Sequence, residues 1–355
     1  PDRVLIGRGD GTFAPASIEA ETGNAKGLGV VTLFREEQKR PSLFIANDQT
    51  ANFFLQPPGK AGAAFALSDT AFLTGLAFDV NGTALACMGI AAADVDGNGT
   101  TDLFVTNFRD ESNTLYLQDP SGLFLDATTA MGLHSASVPY VGWGTQFLDA
   151  DLDGNPDIVL VNGHVDDYRD EGGEYHMRPQ FFRNRGDGRF EERNAADVGD
   201  WFSRKFLGRG LARLDWNRDG RMDFAVSNIG DRASLMTNTS ESVGHFVNVR
   251  LHATATARDA IGTRVTVKAG DRERSRTLLA GDGYMASNER VLQFGLGAAE
   301  STTVRIEWPS GRVTVLEDVP VDVTLELVEG SPVGTLWRGT DPGPLPVSAE
   351  TVLMP

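Results

Sequence analysis

Cysteine is almost absent: Cys87 is the single one in 355 residues, so no disulfide can form within the chain. A chain of this length can bury a core without such staples, so the scarcity leaves the compartment open. Positive charge is also short. Lys and Arg number 32 against 49 Asp and Glu, a formal net charge of −17, which excludes a nucleic-acid binder that must displace counterions with a basic face. No run approaches the ~20 apolar residues of a membrane-spanning helix. Charged residues amount to only 23% while hydrophobic ones reach 41%, which argues against disorder. Glycine, in contrast, is plentiful at 40, beside 16 prolines. That balance points to many short elements joined by tight turns.

Comparison of the chain with itself is the informative step. Four hexapeptides match: Ser42–Asn47, Asp102–Asn107, Asp157–Asn162 and Asp223–Asn228, with starts 60, 55 and 66 residues apart. Eight residues before each start stands Phe34, Asp94, Asp149 or Asp215, and five before that Gly29, Gly89, Gly144 or Gly210. Each unit reads glycine, short apolar strand, nine-residue loop, β-branched strand, asparagine. A third strand is expected at Asn52–Gln56, Thr114–Gln118, Gln180–Asn184 and Ser234–Asn238. Short strands in such a repeat, with no amphipathic helix between them, predict the blades of a β-propeller over residues 1–240, an all-β fold. The glycine opening each unit predicts a close backbone approach near the central channel. Arg3–Phe13 matches the later half of the third unit, Phe181–Phe190. The chain therefore starts mid-blade, and the expectation is an incomplete propeller, a C-terminal piece of a larger one.

Three of the four loops read as metal sites. Asp94, Asp96, Asn98, Thr100 and Asp102 form the first, and Asp149, Asp151, Asp153, Asn155 and Asp157 the second. Asp215, Asn217, Asp219, Arg221 and Asp223 form the third. Side-chain oxygens fall at loop positions 1, 3, 5 and 9, and the backbone carbonyl at position 7 (Thr100, Asn155, Arg221) completes each set. Calcium takes six to eight hard oxygen ligands, and alternate residues of a tight loop converge on one point, so about three Ca²⁺ are expected. Gly99 and Gly220 at position 6 permit the sharp turn. No Glu follows at position 12 and strands flank the loops, so these are not EF-hands. The equivalent stretch of the first unit, Phe34–Ser42, lacks the pattern and reads as a blade that has lost its metal. These loops resemble the FG-GAP/VCBS repeats also found in integrin α-subunit propellers, and the resemblance implies the propeller fold and calcium.

From His245 onward alternating strands continue without acidic loops. Residues 244–330 are expected to form a second β-domain, a compact sandwich, and 331–355, with five prolines, an extended tail. The segment resembles the ASPIC/UnbV domain, on Ile261-Gly262, Phe294-Gly-Leu-Gly297 and Trp308-Pro-Ser-Gly311. The pairing of the two modules is similar to that in the cartilage acidic protein family. It implies a secreted, periplasmic or cell-surface protein.

Other features carry less. Arg8-Gly9-Asp10 is an adhesion tripeptide, but Arg185-Gly186-Asp187 is the same blade turn, so repetition accounts for it. The insertion 163–179 in the third unit holds His164, Asp166, Asp167, Asp170, Glu171, Glu174 and His176 without metal-site spacing. No nucleophile elbow and no phosphate loop is present. The expected function is adhesion or scaffolding, through an extracytoplasmic protein or glycan partner. The alternatives are an accessory subunit of a larger complex and a hydrolase or lyase using the propeller channel.

Overall fold

The computed structural model describes residues 3–19, 25–34, 40–58, 66–241, 243–339, 345–348 and 350–353. Four sheets follow one another along the chain, antiparallel except that Ser17–Glu19 runs parallel to Ala66–Asp69 at the edge of the first. Their inner strands are Gly27–Leu33, Ile90–Ala93, Gly142–Leu148 and Gly208–Leu214. Next come Ser42–Asn47, Asp102–Val105, Asp157–Asn162 and Asp223–Asn228, then Phe53–Gln56, Thr114–Gln118, Gln180–Asn184 and Ser234–Met236. These are the expected blades of a propeller. Each inner strand packs on the next along the chain. Among the described residues the sheets form an arc and do not close into a ring.

The central residues of the hexapeptides are apolar because blades stack face to face, so a second strand is covered on both sides. All six residues of Asp157–Asn162 are buried. On Asp102–Val105, Leu103 and Val105 join Phe44, Phe54 and Tyr116 between the first and second blades. Phe104 points the other way, to Phe147, Ile158 and Phe182 between the second and third. Val159, Val161, Phe181 and Phe224 fill the next interface. Lone Cys87 is buried in the first of these layers.

The opening glycines act as the sequence reading expects. A Cβ on Gly29 would lie 2.5 Å from the carbonyl oxygen of Met88, one on Gly89 2.1 Å from that of Trp143, and one on Gly144 2.6 Å from that of Arg209. Each glycine thus admits the backbone of the following blade.

At the N-terminus Leu5–Gly7 pairs with Phe13–Pro15 as a separate hairpin. The turns at Arg8 and Arg185 close alike, each amide donating to the carbonyl four residues on (Thr12 or Arg189) at 3.0 Å. The shared turn explains why the tripeptide occurs twice.

Residues 245–353 build two five-stranded sheets face to face. His245–His252 runs parallel to Val323–Val328 and antiparallel to Val291–Gly297. Val247, Val249, Val265, Val304, Trp308 and Leu325 lie in the core between the sheets. Within the stretch expected to be an extended tail, the strands Val333–Trp337, Leu345–Ser348 and Glu350–Leu353 are instead part of this sandwich. Val333–Trp337 pairs with Val323–Val328, Leu345–Ser348 forms the edge beyond it, and Glu350–Leu353 joins the other sheet. The prolines do not prevent this, because an edge strand leaves one side free of ladder bonds and tolerates a missing N–H at Pro346.

The sandwich also enters the propeller. Residues 279–290 lie along the inner strands of all four blades. Thr32 N–H donates to Ala280 O at 2.9 Å, and Gly283 exchanges backbone bonds with Ile90. Asn288 Nδ2 donates to Gln146 Oε1 at 3.0 Å, and its Oδ1 accepts from Arg213 N–H at 2.9 Å. Tyr284 packs on Trp143, with ring centroids 5.0 Å apart.

Candidate metal centres

Each loop joins the first strand of a blade to the second, so all lie at one end of the propeller. Antiparallel strands alternate direction, which places the turns after Asn107, Asn162 and Asn228 at the opposite end. The loops share one backbone framework. Their position-1 carboxylates accept inward-pointing amides: Asp94 from Gly97 and Gly99 at 2.8 and 2.9 Å, Asp149 from Asp153 and Gly154 at 3.0 and 2.9 Å, Asp215 from Asp219 and Gly220 at 3.1 and 2.9 Å. Position 6 is glycine in all three, with φ of +86°, +89° and +91° at Gly99, Gly154 and Gly220. That left-handed conformation is the one glycine adopts without strain.

Position 9 carries a further task. Asp102 accepts the amides of Val95 and Gln118, both at 2.8 Å. Asp157 accepts those of Ala150 and Asn184 at 3.1 and 2.8 Å, and Asp223 those of Trp216 and Asn238 at 3.2 and 2.7 Å. Each therefore braces its own loop to the third strand of its blade, or in the fourth blade to Asn238 just past that strand. Asn184 and Asn238 then reach back to the previous blade, donating to Val95 O and Ala150 O at 3.0 Å. Spacing places these aspartates among the expected metal ligands, and Asp102 lies in a carboxylate trio; the buried amides facing them could not be read from sequence.

Two of the three loops gather carboxylates. Oxygens of Asp94, Asp96 and Asp102 all lie within 4.8 Å of one another, as do those of Asp149, Asp151 and Asp153. Among the described residues the third loop forms no such trio. Its position 3 is Asn217, whose amide donates to Asp219 at 2.9 Å, and the Arg221 guanidinium pairs with the same carboxylate. Of the three expected calcium loops, the first two thus gather three carboxylates, while the third offers an amide, Asn217, where they carry an aspartate. Of the first unit's loop, residues 35–39 lie outside the described residues; its position-1 residue, Phe34, packs against Gly262 of the sandwich.

The electrostatics favour a cation. Burial pushes Asp102 up to about 8 and Asp149 up to about 7, and raises Asp157 well above the carboxylate range. Asp94 is raised from the same cause. Clustered carboxylates at this depth are costly to ionise without a compensating charge. In the second loop Asp151 Oδ1 is buried without a hydrogen-bond partner. Asp151 Oδ2 receives Arg183 at 2.7 Å, and Arg183 also stands 3.8 Å from Asp153. The donor set is all oxygen, hard and anionic, which fits calcium.

The insertion 163–179 brings no comparable group together. Asp167 pairs with Arg169 and Glu174 with Lys205. His164 is buried, its Nδ1 accepting from Asp166 N–H at 3.1 Å, and its ring packs edge-on against Phe108 and Tyr168.

Residues 94–160 match the FG-GAP-like repeat family model, and residues 253–333 that of ASPIC and UnbV. The chain is 26% identical to mouse cartilage acidic protein 1 over 312 residues, covering 85% of the chain and 45% of that protein. With the Xenopus tropicalis counterpart the identity is 24%, with 85% and 45% covered. With the human one it is 26%, with 63% and 33% covered. The chain spans less than half the length of these relatives. Among solved structures, a Dos1 propeller aligns at 11% identity and TM-score 0.37, covering 95% of this chain and 82% of that one. Rhamnogalacturonan lyase YesW aligns at 13% identity and TM-score 0.23, covering 91% and 74%.

Proposed function

We propose that this FG-GAP-like propeller with its ASPIC and UnbV domain is an extracytoplasmic calcium-binding module that docks a protein or glycan partner. The observation that carries the calcium reading is the pair of carboxylate trios in equivalent loops, with Asp151 Oδ1 buried and unpartnered. Asp94, Asp96 and Asp102 would hold one ion and Asp149, Asp151 and Asp153 another, with the carbonyls of Thr100 and Asn155 as further donors. A bound Ca²⁺ neutralises the clustered carboxylates and fixes the loop backbone around them. The chain's own part is to present these oxygens preformed on loops held by position-1 and position-9 aspartates.

The partner-binding reading rests on which surfaces are free. Residues 279–290 lie across the channel, where Asp282 faces Arg213 at 3.7 Å. A hydrolase or lyase using the channel would need carboxylates projecting into open space, so the channel favours binding over catalysis. The end opposite the metal loops carries the insertion, whose residues 165–172 are exposed and hold Asp166, Asp167, Asp170 and Glu171. That acidic prominence is the contact surface this reading favours, and it suits a partner with basic groups.

Calorimetric titration with CaCl₂ after EDTA treatment should detect two sites. Saturation of both should raise the Tm by about 7 °C, from roughly 2.7 kcal/mol per site at a hundredfold excess over Kd. An unchanged Tm with no binding heat would refute the calcium reading.

A further inference from the structure

The metal-loop end of the propeller is the seat of the C-terminal sandwich. At position 6 of every acidic loop the glycine carbonyl receives a side chain from the sandwich. Arg264 donates to Gly99 O at 3.2 Å, Arg274 to Gly154 O at 3.4 Å, and Asn248 and Gln293 to Gly220 O at 3.1 and 2.7 Å. Arg272 adds a bond to Asp153 O at 3.3 Å. Backbone bonds join the same surfaces, Gly244 N–H to Asp151 O at 2.9 Å and Gly297 N–H to Leu152 O at 3.0 Å. The fit is tight. A Cβ on Gly295 would stand 2.0 Å from Asp149 Oδ2, and one on Gly220 would enter the ring of Phe246.

From this arrangement, and resting on the calcium reading above, we propose that cation filling of loops 94–102 and 149–157 and docking of the C-terminal sandwich are one coupled event, a calcium-dependent latch between the two domains. A loop whose carboxylates turn inward around an ion turns its position-6 carbonyl outward, which is the shape the sandwich grips. Charge agrees with shape. With its aspartates ionised, a Ca²⁺ leaves loop 94–102 with one net negative charge and loop 149–157 with two. Arg264, Arg272, Arg274 and Arg276 thus still face an acidic surface after the ion is bound. Arg264, Arg272 and Arg274 grip carbonyls and leave the carboxylate oxygens to the metal, while Arg276 lies over the Phe294 ring.

Coupling is reciprocal: if calcium strengthens docking by some factor, docking strengthens calcium binding by the same factor. Two measurements on the full chain test it. In wild type, amide hydrogen exchange at Gly244 and Gly297 should become about tenfold faster when EDTA replaces CaCl₂. In the variant Arg264→Gln/Arg274→Gln, which alters no metal ligand, calorimetry should show calcium binding weakened about tenfold. The sign is diagnostic, because removing positive charge beside a cation site by itself tightens cation binding. Equal protection of those two amides with and without calcium, while calorimetry records binding, overturns the latch and leaves the calcium sites standing. Binding that is unchanged or tighter in the variant overturns it as well. Absence of any calcium binding by wild type overturns both readings together. The exchange measurement needs no substitution, so it stands even where the variant fails to fold.

Discussion

Asp149 and Asp157 close the same loop with different tasks. Asp149 lies with Asp151 and Asp153 in a carboxylate trio, whereas Asp157 has its oxygens on the amides of Ala150 and Asn184. Their consequences separate when metal is removed. In EDTA, Asp157→Ala orphans two buried N–H groups and should cost about 2–5 kcal/mol. Asp153→Ala, which frees one loop amide beside solvent, should cost under about 1 kcal/mol under the same conditions. Urea unfolding of the two variants checks this, and equal losses would return Asp157 to the role of a simple ligand. Both aspartates were legible as a spacing of acidic residues. Their division of tasks was not, since the amides of Asn184 and Gln118 reach the loops only through strand pairing.

At the scale of elements, a strand sandwiched between two blades needs apolar side chains on both faces, and the repeated hexapeptides announce that directly. Phe104 is one such residue, buried against Phe147 at a centroid distance of 6.4 Å. Phe104→Ala should destabilise the protein by about 3–5 kcal/mol through the cavity it leaves. A loss under about 1 kcal/mol in chemical denaturation would contradict the face-to-face packing. The strands after residue 330 were invisible for the converse reason. Prolines masked them, and Gly334 has no side chain to show the alternation, although it lies beneath Leu327 and Val347. The third acidic loop differs from the other two in a way that spacing does not show. Its oxygens occur at the right spacing, but the contacts of Asn217 and Arg221 with Asp219 depend on side-chain geometry.

For the whole molecule, the segment 279–290 ties both domains and all four blades together, and its buried Asp282 makes that tie sensitive to pH. Burial pushes Asp282 up to about 6, while Arg213 and Arg290, with Asn288, pull in the opposite direction. Gln146 bonds Asn288 on the other side of the channel. A folded-state value above the unfolded one of about 3.9 means the folded protein holds this proton more tightly. The stabilisation is therefore complete below about pH 4 and is lost as pH rises through about 6. Subtracting the stability curve of Asp282→Asn from that of wild type between pH 4 and 7, both in EDTA, should give a difference that falls with pH. A flat difference would show that Asp282 titrates alike in both states.

The sequence by itself determined the repeat, the blade strands, the oxygen-rich loops and the second β-module, because these depend on local spacing and on side chains that must be apolar or anionic wherever the chain goes. It also marked Phe294-Gly-Leu-Gly297 as a hallmark without giving its reason. Tertiary structure supplied that reason, since Gly295 lacks the Cβ that would strike Asp149. Only the folded molecule decided that two loops gather carboxylates while the third does not, that the tail completes a sheet, and that one domain covers the loops of the other. Each of these turns on contacts between residues tens to hundreds of positions apart, and such contacts are set by the packing of whole sheets, which no local pattern of residues encodes.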